Sequence, residues 1–336
     1  MYGDRMRKRK KFEIRRYRNN HKEIVQRFKK VIKNLCAIFF ILLLIPYLIF
    51  ICGNALKNEE TKLVKYEKVV PVICIKTEGH VGEEYIPIEQ YLIGELAATI
   101  DLKYDDEVLK AQSILLRSSL LRRKELGEKE DTNKPGIIVI DCMNETLAHF
   151  TLYQMQQLYG KDFPQIYDRL EGLVKSTEGV YITYNGEIIE GAFCALSAGK
   201  TRTASDVFTK DEYPYLQSVS CEYDMTAEAY GRNYYLLWEK IGDKEVEIIK
   251  KDSAGYVVQM KVADKIMSGE EFRKEFHLNS SNFELNPLQM GIQIKTKGIG
   301  HGFGMSQHMA QSLAEKKKDY IEILSYFYKN IEFQKQ

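Results

Sequence analysis

The sequence lacks any pair of cysteines at CxxC spacing, and none of its six cysteines stands near a histidine in a zinc-ligand pattern. Cys36, Cys52, Cys74, Cys142, Cys194 and Cys221 therefore read as scattered core thiols, with a single disulfide among Cys74, Cys142, Cys194 and Cys221 left open. There is no internal repeat and no low-complexity tract. No Lys-Ser/Thr pair follows the glycine-rich stretch near residue 300, which excludes a phosphate-binding loop. Net charge is also scarce, at +2 for 336 residues.

That small total conceals an asymmetry. Residues 1–33 carry fourteen Lys or Arg against Asp4, Glu13 and Glu23, so this segment is +11 and residues 34–336 sum to −9. Between Lys33 and Lys57 no residue is charged, and the run Leu35 to Cys52 is apolar almost throughout. About 20 such residues span a bilayer core, and Pro46 is tolerated in a membrane helix. The basic flank sets the N-terminal side in the cytoplasm. A cleaved signal peptide fits less well, because the run exceeds the roughly 7–15 residues of a signal core and no small-x-small site follows. A nucleic-acid-binding arm is less economical than topology and anionic lipid as the reason for the basic segment. The expected organisation is a basic cytoplasmic segment (1–33), a single transmembrane helix (34–56), a polar stalk (57–67) and an extracytoplasmic domain (68–330) at the cell membrane. Membrane lipid is an expected partner and nucleic acid is not.

Beyond the stalk, a strand is expected at Val69–Lys76. Helices follow at about Pro87–Ala98 and Asp106–Glu125, the second with Val108, Leu109, Gln112, Leu115, Leu116, Ser119 and Leu120 on one face. A short strand at Ile137–Ile140 precedes helical patches at Leu152–Tyr159 and Phe163–Ser176. Asn185-Gly186 between two β-rich runs predicts a hairpin, with Ala192–Leu196 extending its second strand. Further strands are expected at Glu245–Lys250, Tyr256–Lys261 and Met290–Lys297. Ser268 and Glu271 form a capping-box pattern for a helix to Phe276, and one long helix is expected from Ser306 to Tyr328. Helices grouped rather than alternating with strands favour an α+β class.

Two segments invite chemistry. Gly298 to His308 holds four glycines in seven positions just before a helix, with His301 in their midst. Glycine permits close backbone approach, and a helix start offers free N–H groups. A tight turn with a satisfied histidine explains the same residues equally well. Phe193 to Thr201 sets small and hydroxyl residues at a strand end, suited either to a cleft wall or to an ordinary loop.

These residues carry a resemblance. Pro87-Ile88-Glu89-Gln90-Tyr91-Leu92-Ile93-Gly94, Leu109-Lys110-Ala111-Gln112 with Leu116-Arg117, Ser197-Ala198-Gly199, Ser280-Ser281-Asn282-Phe283 and Gly300-His301-Gly302-Phe303-Gly304-Met305-Ser306-Gln307 follow, in order, the motifs of the stage II sporulation protein D and amidase-enhancer family. The resemblance covers roughly residues 68–330. It implies a glycan-binding cleft in a mixed helix/strand ectodomain and a lytic transglycosylase acting on peptidoglycan strands whose stem peptides an amidase has removed, during sporulation engulfment. It implies glycan strands, a cell-wall amidase and other membrane-bound engulfment proteins as partners. As substrate contacts it implies Arg117, Ser197, Gly199, Gly300, His301, Gly302, Gly304, Met305, Ser306 and Gln307.

The chemistry needs one carboxyl group, protonated near neutral pH in a poorly solvated cleft. The resemblance sets that glutamate at position 99, which here is Thr99. Glu95, one turn earlier on the same helix face, is the candidate replacement. Two readings follow: a working enzyme using Glu95, or a catalytically degenerate glycan-binding or amidase-stimulating scaffold. Some members of the family bind zinc after the second helix. Cys142 and His149 supply only two of four ligands, so no metal and no cofactor are expected.

Overall fold

A computed structural model describes residues 72–76, 84–126, 137–141, 148–208, 212–242 and 245–336, all within one compact unit from Val70 to Gln336. Strand β1 (Val72–Lys76) pairs antiparallel with β2 (Glu84–Pro87) and parallel with β3 (Ile137–Asp141). Pro87 ends β2 and caps α1 (Ile88–Thr99), as its missing N–H and fixed φ allow. Apolar residues surround α1, so Ile88, Tyr91, Leu92, Ile93, Leu96 and Ala97 are all buried, and Glu95 is carried inside with them.

Helix α2 (Asp106–Glu125) begins at Asp105, whose carboxylate accepts the Glu107 N–H at 3.0 Å. Acidic residues open it and Arg122, Arg123 and Lys124 close it, complementing the helix dipole. Arg117 from α2 is bound bidentately to Glu89 of α1, at 2.8 and 2.6 Å, and donates to the Val180 carbonyl at 3.0 Å. Helices α3 (Leu152–Tyr159) and α4 (Phe163–Ser176) pack behind this pair. Strands β4 (Val180–Tyr184) and β5 (Glu187–Ile188) form the expected hairpin, with φ of 51° at Asn185 and 84° at Gly186. Positive φ at both central residues is what a turn matching strand twist requires.

Strand β6 (Phe193–Cys194) does not extend that hairpin. It runs parallel to β13 (Met305–Ser306). Between them lies a second set of elements. Strand β7 (Gly231–Leu237), the short α5 (Trp238–Ile241), β8 (Val246–Lys251), β9 (Val257–Val262), β10 (Lys265–Met267), α6 (Gly269–Glu275), β11 (Phe283–Pro287) and β12 (Gly291–Lys297) make two antiparallel sheets, ordered β10-β9-β8 and β11-β12-β7. Their side chains, including Val257, Met260, Phe272, Phe283, Ile292 and Ile294, form a core separate from the larger one built on α1 and α2.

Two further expectations are corrected. The single helix from Ser306 to Tyr328 is two, α7 (Gln307–Glu315) and α8 (Tyr320–Phe327), because Lys317 turns to a φ of 64° and Asp319 starts a new capping box with Glu322. Strand β14 (Glu332–Lys335) then returns to pair with β4.

The second correction concerns the expected fold class, an α+β domain behind a transmembrane helix. Among the described residues no helix is long and apolar enough to cross a membrane. Helix α1 has only 12 residues, about 18 Å at 1.5 Å per residue, and α2 carries charges at both ends and at Lys110 and Arg117. What stands is a mixed helix and strand fold. The 34–56 run, the 1–33 segment and the 57–67 stalk lie outside the described residues.

Candidate functional site

Three of the sequence motifs meet at the C-terminal end of α1. The last carbonyls of a helix have no partner within it. Here the Thr99 carbonyl accepts from Nε2 of Gln307 at 2.8 Å, and the same amide reaches Oε1 of Gln112 at 3.3 Å. Gln307 thus joins the glycine-rich segment to both leading helices. Thr99 itself is half-buried, and its hydroxyl donates back to the Glu95 carbonyl at 2.8 Å, a local bond typical of threonine in a helix.

The serine that precedes Gln307 is bound to a carboxylate outside the sequence motifs, Asp224. Asp224 sits in a 3-10 turn, Glu222–Thr226, and is fully buried. Its Oδ2 accepts from the Ser197 N–H at 2.8 Å and the Ser197 hydroxyl at 2.6 Å. The Ser306 hydroxyl donates to the same carboxylate, 2.8 Å from Oδ1 and 2.7 Å from Oδ2. Burial raises the Asp224 pKa above the usual carboxylate value, while the serine donors and the nearby His308 pull it down. His308 stacks on Tyr223, with centroids 4.8 Å apart. Asp224 therefore ties the strand-end serine to the serine that caps α7, and so holds Gln307 against α1.

His301 belongs to a different cluster. Its Nδ1 accepts the Phe303 N–H at 3.0 Å, and its carbonyl accepts from Arg202 at 3.1 Å. Burial lowers the His301 pKa to about 4, so the ring is neutral at pH 7. The Arg202 guanidinium lies between the rings of Tyr256 and Phe303, 4.8 and 4.4 Å from their centroids, and binds Asp252 at 2.6 Å. Ser281 and Arg273 both hold Glu270, which adds a second carboxylate near Arg202.

The glycines between these clusters are filled by protein. A Cβ on Gly302 would stand 2.3 Å from the Tyr256 ring, and one on Gly304 would stand 1.9 Å from the Ala192 carbonyl. Both have positive φ, 80° and 70°, so sterics and backbone conformation each demand glycine. Gly300 abuts Cys194, Gly199 faces the Met225 sulfur, and Met305 is buried in β13.

Glu95 stands apart from both clusters. Glu95 is 4% exposed, and its Oε2 is buried with no hydrogen-bond partner. Burial raises its pKa to about 8, and the charges that act on it are those of Arg123 and Glu190. Arg117, another expected substrate contact, is 1% exposed and held by Glu89. The structure thus brings Thr99, Ser197, Ser306 and Gln307 together, and sets the side chains of Glu95, Arg117 and His301 elsewhere. Cys194 and Cys221 are buried free thiols. His149 stacks on Tyr91 at 4.4 Å, and Cys142 lies outside the described residues.

Beside the Thr99 end of α1 is an open groove of about 430 Å³, lined by residues of the α1–α2 connection, by Tyr159 at the end of α3 and by residues of α4. Thr99 therefore ends its helix next to a space of small-ligand size.

Comparison with known proteins agrees with the motifs. The family model of SpoIID, stage II sporulation protein, matches residues 78–184, the segment holding Glu95, Thr99, Gln112 and Arg117. Stage II sporulation protein D of Bacillus amyloliquefaciens is 28% identical over 289 residues, 82% of this chain and 81% of that protein. Stage II sporulation protein D of Bacillus subtilis (strain 168) is 27% identical over 330 residues, 90% of this chain and 94% of that protein. An uncharacterized protein of Brachyspira hyodysenteriae is 27% identical over 259 residues, 73% of this chain and 66% of that protein.

Proposed function

We propose that this chain, which carries a SpoIID domain and is related along most of its length to stage II sporulation protein D, holds peptidoglycan glycan strands during wall remodelling in sporulation without cutting them. One observation carries the reading. Where the resemblance sets the catalytic glutamate, α1 ends in Thr99, whose hydroxyl is committed to the Glu95 carbonyl. Protonating a glycosidic oxygen requires an ionisable group that faces it, and a threonine hydroxyl has no accessible ionisation. Asp224 does not substitute, being fully buried with both oxygens bound by serines. In this reading the protein works outside the cytoplasm, where glycan strands are, and an amidase that strips stem peptides prepares its ligand.

The purified protein, incubated with peptide-free glycan strands, is expected to retain them in a pull-down and to release no 1,6-anhydro products. Product release by the unmodified protein would overturn the reading.

A second reading, a cutting enzyme that uses Glu95, is favoured by one fact. Burial keeps this carboxyl protonated at neutral pH, the state a proton donor needs. Under it, the unmodified protein would release product and Glu95→Gln would not.

A further inference from the structure

We infer that strand β7 is an interface with a second copy of this chain, the two copies of β7 pairing antiparallel about a two-fold axis. The inference goes beyond the glycan reading and does not depend on it.

Strand β7 (Gly231–Leu237) is an edge strand, last in the sheet ordered β11-β12-β7. It pairs with β12 in unbroken register along all 7 residues. In an antiparallel ladder, residues bonded to the neighbouring strand alternate with residues whose N–H and C=O point away from it. The Gly298 N–H donates to the Tyr230 carbonyl at 2.8 Å, and the Trp238 N–H donates to the Met290 carbonyl at 3.3 Å, so the even-numbered positions face β12. Gly231, Asn233, Tyr235 and Leu237 therefore turn their N–H and C=O groups outward, and among the described residues nothing bonds those groups. All four residues are exposed, and nothing lies within 4 Å of where a Cβ on Gly231 would stand.

Proteins protect such edges with bulges, lysine, proline or short length. The other edges of these two sheets are protected in those ways. Strand β8 is bulged and ends in Lys250 and Lys251, β10 has 3 residues, and β11 carries Glu284 and Pro287. Strand β7 has none of these devices. It holds one charge, Arg232, and two large apolar side chains, Tyr235 and Leu237, that are 67% and 51% exposed.

A row of outward N–H and C=O groups selects another extended strand, and a second β7 satisfies it along its whole length. The antiparallel register that uses all 7 residues sets Gly231 opposite the second copy's Leu237 and Asn233 opposite its Tyr235, so outward groups meet outward groups. Tyr234 falls on the axis, beside its own equivalent. The same pairing separates the charges. Each Arg232 stands opposite Leu236, which sets the two arginine positions about 14 Å apart along the strands, beyond the Debye length at physiological salt. A parallel pairing would place them side by side. The result is a continuous sheet ordered β11-β12-β7-β7-β12-β11. Both of its outer edges are the protected β11, so growth stops at two copies, as an isologous contact requires.

Sedimentation equilibrium of the full chain at up to about 100 μM, where micromolar contacts are populated, is expected to show a dimer. Asn233→Pro removes an N–H that faces the second copy and none that faces β12, a position where an edge strand tolerates proline. It is expected to weaken dimerisation by about tenfold or more, with circular dichroism and melting temperature close to the parent's. Asn233→Ala should dimerise like the parent. Asn233→Cys protein mixed with Tyr235→Cys protein under oxidising conditions should form a disulfide between those positions, since directly opposite residues lie within bridging distance. Mass spectrometry of the linked peptides reads that bond. A monomeric parent overturns the inference, as does an Asn233→Pro dimer as tight as the parent's. Absence of the mixed disulfide overturns it even where the proline variant fails to fold.

Discussion

Glu95 enters the core because its neighbours on α1 are apolar in every direction, and its Oε2 finds no donor there. Unfolded, a glutamate releases its proton near pH 4.5; folded, this one does so near pH 8. The fold therefore binds that proton more tightly than the unfolded chain. Its stabilisation is complete below pH 4.5 and is lost as pH rises to about 8. His149 and His301 act in the opposite sense. Burial lowers both from 6.5 to about 4, so their contribution is complete above pH 6.5 and is lost as pH falls to about 4. Glu95→Gln should remove the alkaline loss alone. Urea unfolding at pH 8.5 is expected to show the variant more stable than the parent, on the order of 2–4 kcal/mol, with the gap closing by pH 5. An equal gap at both pH values would mean that the carboxyl does not titrate as its burial implies.

Among the elements, those legible in the sequence are the ones whose signals are local. The bounds of α2, the Asn185-Gly186 turn and the Ser268 capping box all follow from residues within a few positions of one another. The break between α7 and α8 is equally local, in four consecutive charged residues, Lys316 to Asp319, that separate the apolar faces of the two helices. The deciding signal is Asp319 with Glu322. The Glu322 N–H donates to the Asp319 carboxylate at 2.9 Å, and the Asp319 N–H donates to the Glu322 carboxylate at 3.2 Å. Asp319→Ala should destabilise the protein by about 1 kcal/mol in chemical denaturation. Glu315→Ala, at the exposed end of α7, should stay within about 0.5 kcal/mol of the parent. Strand β13 is two residues long, too short for an alternation to show, and β6, which lies inside the expected Ala192–Leu196 strand, carries no sign that its partner is β13.

For the molecule as a whole, the decisive groups join distant parts of the chain. Gln307 meets Thr99 across 208 positions, and Ser306 meets Asp224 across 82. No local pattern announces such a partner, which is why Asp224 and Arg202 were not foreseen while the serines and glycines around them were. Arg202 also links the two cores. It binds Asp252 beside the smaller one and the His301 carbonyl in the loop leading to the larger, and Tyr256 reinforces the link by accepting the Ala198 N–H at 2.9 Å. Arg202→Met keeps the volume and strands a buried carboxylate, so a loss of about 3–5 kcal/mol is expected. In a double-mutant cycle with Asp252→Asn, the combined loss should fall short of the sum by about 1–3 kcal/mol. Simple additivity would show that the two residues stabilise the protein independently.

The pairing of β14 with β4 sets an order of events. Glu332 lies opposite Thr183, 149 positions earlier, and the Gln336 N–H closes on the Gly179 carbonyl at 3.0 Å. A hairpin made early thus keeps one bare edge until a strand synthesised much later arrives to cover it. During that interval the edge is open to any passing chain. Crowding and the speed of synthesis, more than any single contact, would then govern how many copies reach the finished fold.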